Sequence, residues 1–473
     1  MATRAQPVDA EENEEERGQP PAIDCWVPAR ARWGGGWSGR LRHAGGIVAT
    51  GADDEAEPRS PATQPQRDFD GTSRMRRVWD DIGADRLGNA DLDGMRVLAA
   101  CDNYTPASSG GAEKAAHEIY VRLARAGAHL RVVSVPHGTP YDDPGVDVVT
   151  ARGIDLSKFV GGYLAFSPDT FITATQEFRN FRPHVLHGNT IHYNSSIALA
   201  RLSARFQIPY VLTAQLGPLD EMPFMARTAA NLYDRAVGRY IVRRATKVLA
   251  VSSAVRAHMI SIGAPADRVE VVENGVEHER FACPPLGLND QPLVLSIGRI
   301  VENKGPQLLV DAAIRLHQEG LPVRVGFLGD GPLRSELEQR VEQAGLSGSI
   351  VFHGQVQDVE RWLRRADIVV RPSFTEGLPL AVLEAMSAGR CNVVSDIAPN
   401  LELITDSVNG LTFRTGDASD LAAKLRLAIT DQQARVRMAS EGRRSSLNRS
   451  WDRMAAETGL ALSECIGQRG CAT

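Results

Sequence analysis

From Met95 onward, short runs of Val, Ile and Leu alternate without pause with stretches of helical spacing. MRVLAAC is followed by GGAEKAAHEIYVRLARAG, then LRVVSV, HVLHG, SSIALARLSARF, YVLTA, YIVRRA, KVLAVS, SSAVRAHMISIG and VEVVENG. The pattern resumes with LVLSIG, PQLLVDAAIRLHQEG, VRVGFLG, PLRSELEQRVEQAG, IVFHG, VERWLRRAD, IVVRPS, PLAVLEAMSAG and CNVVSD. Strands that lack polar alternation are buried on both faces, which requires parallel sheets covered by helices. The segment FACPPLGLNDQP breaks the series near its midpoint and reads as a linker. The expectation is an α/β chain of two doubly wound, Rossmann-like domains facing each other across a cleft: 91–283 and 284–446, with 447–473 crossing back to the first domain.

Residues 1–90 lack any apolar period. An acidic run (EENEEER), the segment WGGGWSGRLRHAGG and a Pro/Ala/Asp-rich stretch predict a disordered tail that catalysis does not need. The cluster Trp26, Trp33 and Trp37 leaves a docking role open, and a start at Met75 or Met95 is a plainer alternative. A net charge of −5 and a pI near 6.2 exclude a global field for nucleic acid. No apolar run reaches the length of a membrane span or resembles a secretory signal. The six cysteines are scattered with no CxxC pair, Cys101 and Cys391 in apolar runs read as buried free thiols, and the usage suits a reducing cytosol.

Two stretches carry chemistry. In SIGRIVENKG (Ser296 to Gly305) a buried strand ends at Ile297, Gly298 and Arg299 follow, and Lys304-Gly305 opens a helix. Two cations and free N–H groups at a strand end suit a diphosphate, although isolated loop cations are usually solvated. In PSFTEGLPLAVLEAMSAG, Glu376 precedes a helix and Glu384 lies inside it, offset by about 10 Å along the axis. That span suits an extended ligand with hydroxyls at both ends; a lone E-x7-E is otherwise common by chance.

In order and spacing, the C-terminal half resembles the retaining GT-B glycosyltransferases of family 4. GRIVENKG is similar to that family's phosphate loop, EGLPLAVLE to its E-x7-E signature, and FLGDGPLRSELE and FHGQVQDVERWLRRADIVVRPS to the segments between. VENGVEHERF and the SGGAEK loop resemble its turn before the linker and its first glycine-rich loop. The resemblance implies a GT-B fold from about Met95 to beyond Trp451. It implies a nucleotide-diphosphate sugar donor and a hydroxyl acceptor, with neither metal nor further cofactor.

Carried over by position, Arg299 and Lys304 would neutralise the diphosphate, Glu376 would hold the donor sugar and Glu384 the ribose. Gly298 belongs to the phosphate loop, the N–H groups of Leu378, Leu380 and Ala381 would face sugar and phosphate, and Val356 would lie against the base. Gly110 and Gly111 would let the N-terminal loop approach phosphate and acceptor. Three positions depart from the family. Leu378-Pro379 stands where Phe-Gly is common, Asn189 replaces a histidine after His187, and Gln215 replaces a second one. With His192 nearby, Asn189 and Gln215 form the candidate acceptor side. These departures motivate an alternative, a catalytically inactive relative acting as a binding or scaffold subunit. A cytoplasmic location is expected. RAVGRYIVRRATK and RLARAGAHLR offer basic faces for peripheral contact with the inner face of a membrane, or are ordinary solvated helix faces. Sugar, base, acceptor and oligomeric state are not read from the sequence.

Overall fold

The computed structural model describes residues 92–104, 110–135, 145–155, 165–217, 224–289 and 291–470. The expectations for the 1–90 tail and its tryptophans lie outside these residues. Strands β1 (Arg96–Ala100), β2 (His129–Ser134) and β3 (Val146–Thr150) are followed by a small antiparallel pair, β4 (Ile154–Asp155) with β5 (Ala165–Phe166). Then come β6 (Val185–Asn189), β7 (Tyr210–Ala214), β8 (Lys247–Ala250) and β9 (Val269–Val271). Without the small pair they form one parallel seven-stranded sheet in the order β3-β2-β1-β6-β7-β8-β9. A second parallel sheet has the order β12-β11-β10-β13-β14-β15. Its strands are β10 (Leu293–Ile297), β11 (Arg324–Leu328), β12 (Ile350–Phe352), β13 (Ile368–Arg371), β14 (Cys391–Ser395) and β15 (Leu411–Phe413).

Burial explains the sequence pattern: every residue of β6, β7, β13 and β14 is buried, so each strand is apolar on both faces or spends its polar groups internally. The four described cysteines are free, buried thiols. The order reverses between β1 and β6 and between β10 and β13. Such switch points open a crevice beyond the strand C-termini, where the following loops gather. Helix boundaries follow local chemistry. Ser252 Oγ caps the helix Ser253–Ile262 by accepting from Val255 N at 3.1 Å, and Gly263, at φ +119°, ends it.

The chain ends by crossing back. Helix Trp451–Gly470 packs on the first domain, against the helix Gly111–Arg125. Arg122 is the joint: Nε meets Asp452 Oδ1 at 2.7 Å, Nη2 meets Glu277 Oε2 at 2.8 Å, and Nη1 pairs with Glu118. Lys247 Nζ joins Glu464 at 2.6 Å and Glu270 at 2.8 Å. Arg122 therefore belongs to the interior, not to the basic outer face expected of RLARAGAHLR, because three carboxylates converge on it. In the other basic segment Arg235, Arg239, Arg243 and Arg244 are exposed, while Ile241 and Val242 face inward. Among the described residues no helix is long and apolar enough to cross a membrane.

Removing Arg122 leaves three carboxylates together beside a packed helix. Arg122→Met is expected to destabilise the protein by roughly 2–3 kcal/mol, below the usual cost of breaking a fully buried pair because its partners are partly solvated. Asp452→Asn should cost much less. Chemical denaturation checks the order, and an unchanged midpoint for Arg122→Met would show that the joint does not bear on stability.

Candidate active site

The phosphate-type loop is shaped by two glycines. Gly298 follows β10 at φ +140°, and a Cβ there would lie 2.4 Å from Arg371 Nη1. A single 3₁₀ turn, Glu302–Lys304, ends at Gly305, where φ is +67° and a Cβ would sit 2.0 Å from the Pro372 carbonyl oxygen. With Pro306 at its first position, the next helix, α1 (Pro306–Gln318), starts at once. The loop is thereby pressed onto the end of β13, and Lys304 reaches back across it. Lys304 Nζ donates to Glu376 Oε2 at 2.9 Å and to the Thr375 carbonyl at 3.2 Å. Arg299 is half-buried and near enough to disfavour the Lys304 charge.

Glu376 is buried, and both of its oxygens are occupied. Arg371 approaches Oε1 with Nε at 2.7 Å and Nη2 at 2.6 Å, and Ser373 Oγ donates to the same oxygen at 2.6 Å. Burial alone would raise the carboxyl's pKa; Arg371, Lys304 and Ser373 outweigh it and hold the group down at about 2. Burial pushes Lys304 the other way, to about 8, against the pull of Glu376 and with the push of Arg371 and Arg299. Both groups are charged at neutral pH.

Four residues on, α2 (Leu380–Ser387) begins behind Pro379. The N–H groups of its first turn lie outside the intrahelical ladder and form the positive end of the helix dipole. Leu378 is buried, with its carbonyl accepting from Asn274 Nδ2 at 3.2 Å, while Leu380 and Ala381 are half-buried. Glu384 lies one turn into α2, buried, and Lys114 Nζ of the opposite domain meets its Oε1 at 2.5 Å.

The first domain closes in through glycines. Gly110 caps the helix Gly111–Arg125, and the Glu113 carboxylate fills the space its Cβ would need. A Cβ on Gly111 would stand 3.5 Å from Leu380 Cδ1, so the starts of two helices from opposite domains meet. After β7, the Gln215 carbonyl would be 1.9 Å from a Cβ on Gly377, and the Glu376 carbonyl 2.7 Å from one on Gly217. Val356 is half-buried two residues past Gly354, whose carbonyl accepts from Gly329 N at 2.7 Å; Gly329 itself abuts Gly298.

The structure thus gathers Gly298, Arg299, Lys304, Glu376, Leu378, Leu380, Ala381, Glu384, Gly110, Gly111 and the backbone of Gln215. The other acceptor-side residues make contacts of their own. Asn189 is fully buried, and its amide donates to the Ala112 carbonyl at 2.8 Å, supporting the first turn of the helix Gly111–Arg125. His187 is enclosed between Tyr120 and Thr213, both at 2.9 Å, and burial lowers its pKa to about 4. His192, on the loop after β6, stacks on Tyr233 at 5.4 Å and lies 3.6 Å from Asp234, which His258 approaches at 3.2 Å. Against burial, the two imidazoles hold Asp234 at about 2. Among the described residues no three His, Cys, Asp or Glu side chains are placed to share a metal ion.

Sequence reasoning missed Arg371, Lys114 and Asp234. Arg371 had a signal: a charged residue closing the wholly buried run IVVR must find buried partners. Lys114 stands in the SGGAEK loop, but nothing there points to Glu384, 270 residues away, and Asp234 is 42 residues from His192.

Two facing parallel-sheet domains with a cation-rich loop and an open helix start between them define the GT-B architecture. Solved structures with this fold include the Anabaena protein HepE in complex with UDP-glucose (TM-score 0.62, 20% identity, 80% of this chain and 100% of that one). Another is sucrose-phosphate synthase from Thermosynechococcus elongatus (TM-score 0.68, 19% identity, 80% and 100%). The model for glycosyl transferases group 1 matches residues 284–445, and that for the glycosyl transferase 4-like domain matches 110–275. The chain is similar to a sulfoquinovosyl transferase of Arabidopsis thaliana, 26% identical over 78% of this chain and 74% of that protein. It is also similar to a D-inositol 3-phosphate glycosyltransferase of Xylanimonas cellulosilytica, 28% identical over 79% and 92%. The chain belongs to the GT-B glycosyltransferases.

The approach of Gln215 to Gly377 leaves no room for a methyl. Gly377→Ala is expected to part the domains at this point, costing roughly 1–3 kcal/mol by overpacking. Thermal melting and small-angle scattering check it. Unchanged stability together with unchanged dimensions would mean that the domains do not meet there in solution.

Proposed function

We propose that the protein is a retaining, metal-independent glycosyltransferase that moves a sugar from a nucleotide-diphosphate sugar to a hydroxyl of a glycan, glycolipid or small molecule. The observation that carries this reading is the placement of Lys304 against the buried Glu376, on the strand-end segment that leads into α2, with Glu384 buried one turn into that helix. Arg299, Lys304 and the helix N-terminus take the diphosphate, Glu376 the sugar, Glu384 the ribose and Val356 the base. Gly110 and Gly111 let the first domain's backbone approach. HepE, solved with UDP and with UDP-glucose, supports a sugar nucleotide as the ligand class.

In the reaction the bond from the anomeric carbon to phosphate loosens into an oxocarbenium-like state. Negative charge grows on the leaving diphosphate, where two fixed cations and the helix terminus stabilise it more than in the ground state. The acceptor hydroxyl enters on the face the diphosphate leaves and passes its proton to a phosphate oxygen. For a lipid-linked acceptor, the exposed Arg235, Arg239, Arg243 and Arg244 would meet anionic headgroups. The scaffold alternative rested on Asn189 and Gln215. Asn189 serves the fold by holding the first helix turn, so its presence does not argue against turnover.

A thermal-shift screen of nucleotide sugars identifies the donor, since a tight ligand raises stability by mass action. With that donor, the product is expected to keep the donor's anomeric configuration by NMR, and turnover to survive excess EDTA. Inverted product, or activity abolished by EDTA and restored by Mg²⁺, would overturn the corresponding part of the proposal. No turnover with any donor would favour the scaffold reading.

The titration of Lys304 gives a second test. Its free-site value is about 8, so the ammonium is lost as pH rises through that point. Affinity for the nucleoside diphosphate should then fall, by up to about tenfold per pH unit where one proton is required. Lys304→Arg, which cannot titrate there, should remove the slope. In kinetics, Lys304→Ala should lose about 10²–10³ in kcat, and Glu384→Ala should mainly raise KM. Calorimetry between pH 7 and 9.5 and steady-state rates check both, and the reverse split would refute the placement of ribose and phosphate.

A further inference from the structure

The two oxygens of Glu376 are held in different ways. Oε1 takes Arg371 Nε at 2.7 Å, Arg371 Nη2 at 2.6 Å and Ser373 Oγ at 2.6 Å, all from the strand end that carries Glu376 itself. Oε2 takes Lys304 Nζ at 2.9 Å, from the phosphate loop. Arg371 is also tied to that loop: its Nη1 donates to the Ile297 carbonyl at 2.6 Å, immediately before Gly298 and Arg299. The guanidinium thus spans the last carbonyl of β10 and the carboxylate at the end of β13. Only a glycine at 298 leaves it room, since a Cβ would lie 2.4 Å from Nη1.

On the sugar-nucleotide reading above, Lys304 has two claimants, Glu376 and the diphosphate. A lysine stem is flexible and its ammonium turns freely, whereas a guanidinium bound at both ends does not. We propose that Arg371 is the positioning residue that holds Glu376 through Oε1 while Lys304 leaves Oε2 for the diphosphate, so that Oε2 becomes the acceptor for a hydroxyl of the donor sugar. Glu376 is then never left without a counter-ion. The exchange moves one ammonium and transfers no proton. It also makes sugar recognition conditional on the phosphate, because Oε2 opens only when Lys304 is drawn away.

Arg371 acts through Glu376, and that dependence is what the experiment reads. Arg371→Met, Arg371→Lys, Glu376→Gln and the double variant Arg371→Met/Glu376→Gln are compared for binding of UDP, UDP-glucose, GDP and GDP-mannose, and for turnover of the identified donor. Arg371→Met is expected to weaken nucleoside-diphosphate binding, because Lys304 could then leave Oε2 only by stranding a buried carboxylate, and to lower kcat by about 10²–10³, the scale of one preorganised group. The double variant should be no worse than Glu376→Gln alone. The acid limb of the rate profile should climb, because a Glu376 held at about 2 by Arg371 and Lys304 would return toward the ordinary 4.5 or above. Arg371→Lys should recover part of the rate. If Arg371→Met does not fold, Ser373→Ala, which removes one hydrogen bond from Oε1, should shift the acid limb in the same direction by less. Additive losses in the double variant, with an unmoved acid limb, would reduce Arg371 to a brace for the loop and overturn the proposal alone. Failure of the wild type to bind any nucleotide would overturn the sugar-nucleotide reading and this proposal with it.

Discussion

The ion cluster of Lys304, Glu376 and Arg371 is the interaction on which the site depends. Taking three charges out of water costs several kcal/mol per ion, and attraction offsets it only if every charged atom is well placed. Here Glu376 accepts on both oxygens and Arg371 spends Nη1 on a backbone carbonyl. That closeness explains the backbone around it. Gly298 and Gly305 both take positive φ where a Cβ would strike Arg371 or Pro372. Lys304 and Arg371 together carry one more charge than the Glu376 carboxylate they share. The surplus is what an anionic ligand would neutralise, and it is set by folding before any ligand arrives.

Among the described residues, close glycine approaches and hydrogen bonds join the two domains. Gly111, Gly217 and Gly377 let backbone and side chains come close, Asn274 donates to Leu378, and Glu402 caps the helix Ser253–Ile262 from the other domain at 2.9 and 3.0 Å. Contacts of this kind permit relative motion more readily than a large hydrophobic interface. The crossing helix Trp451–Gly470 differs: its anchor at Arg122 has three carboxylate partners. One end of the fold is fastened, and the other is held by contacts that a ligand could rearrange.

Much of this was legible because it is local. Buried parallel strands announce themselves as apolar runs, and GRIVENKG and EGLPLAVLE, weak signals singly, gain roles for their charged residues from the resemblance of their order and spacing to a known family. What escaped is non-local. Lys114 looks like a solvated charge on a helix until Glu384 is brought against it from another domain. Asp234, His192 and His258 come from three segments, and nothing in any one of them signals the others. Asn189 reads as a cleft residue because it stands where the family has a histidine, and its amide is spent on the Ala112 carbonyl. The strand end fixes where the backbone arrives; the partner available there decides where the side chain points.

Both signature carboxylates are paired with a lysine, Glu376 with Lys304 of its own domain and Glu384 with Lys114 of the other. This arrangement bears on selectivity. A ligand that offers only phosphate could draw Lys304 away but would supply no hydroxyl for the oxygen it uncovers on Glu376, and Arg371 would have to hold that carboxylate alone. A ligand that offers only hydroxyls would have to displace an ammonium from a buried carboxylate without giving it another anion, a loss on the scale of an unpaired buried charge. A molecule carrying both phosphate and sugar hydroxyls at the right separation replaces each contact as it breaks one. The Lys114 pair is the more exposed and the more easily given up, worth on the order of 1 kcal/mol. The outer carboxylate would therefore be released first, and the inner one only when the phosphate has arrived.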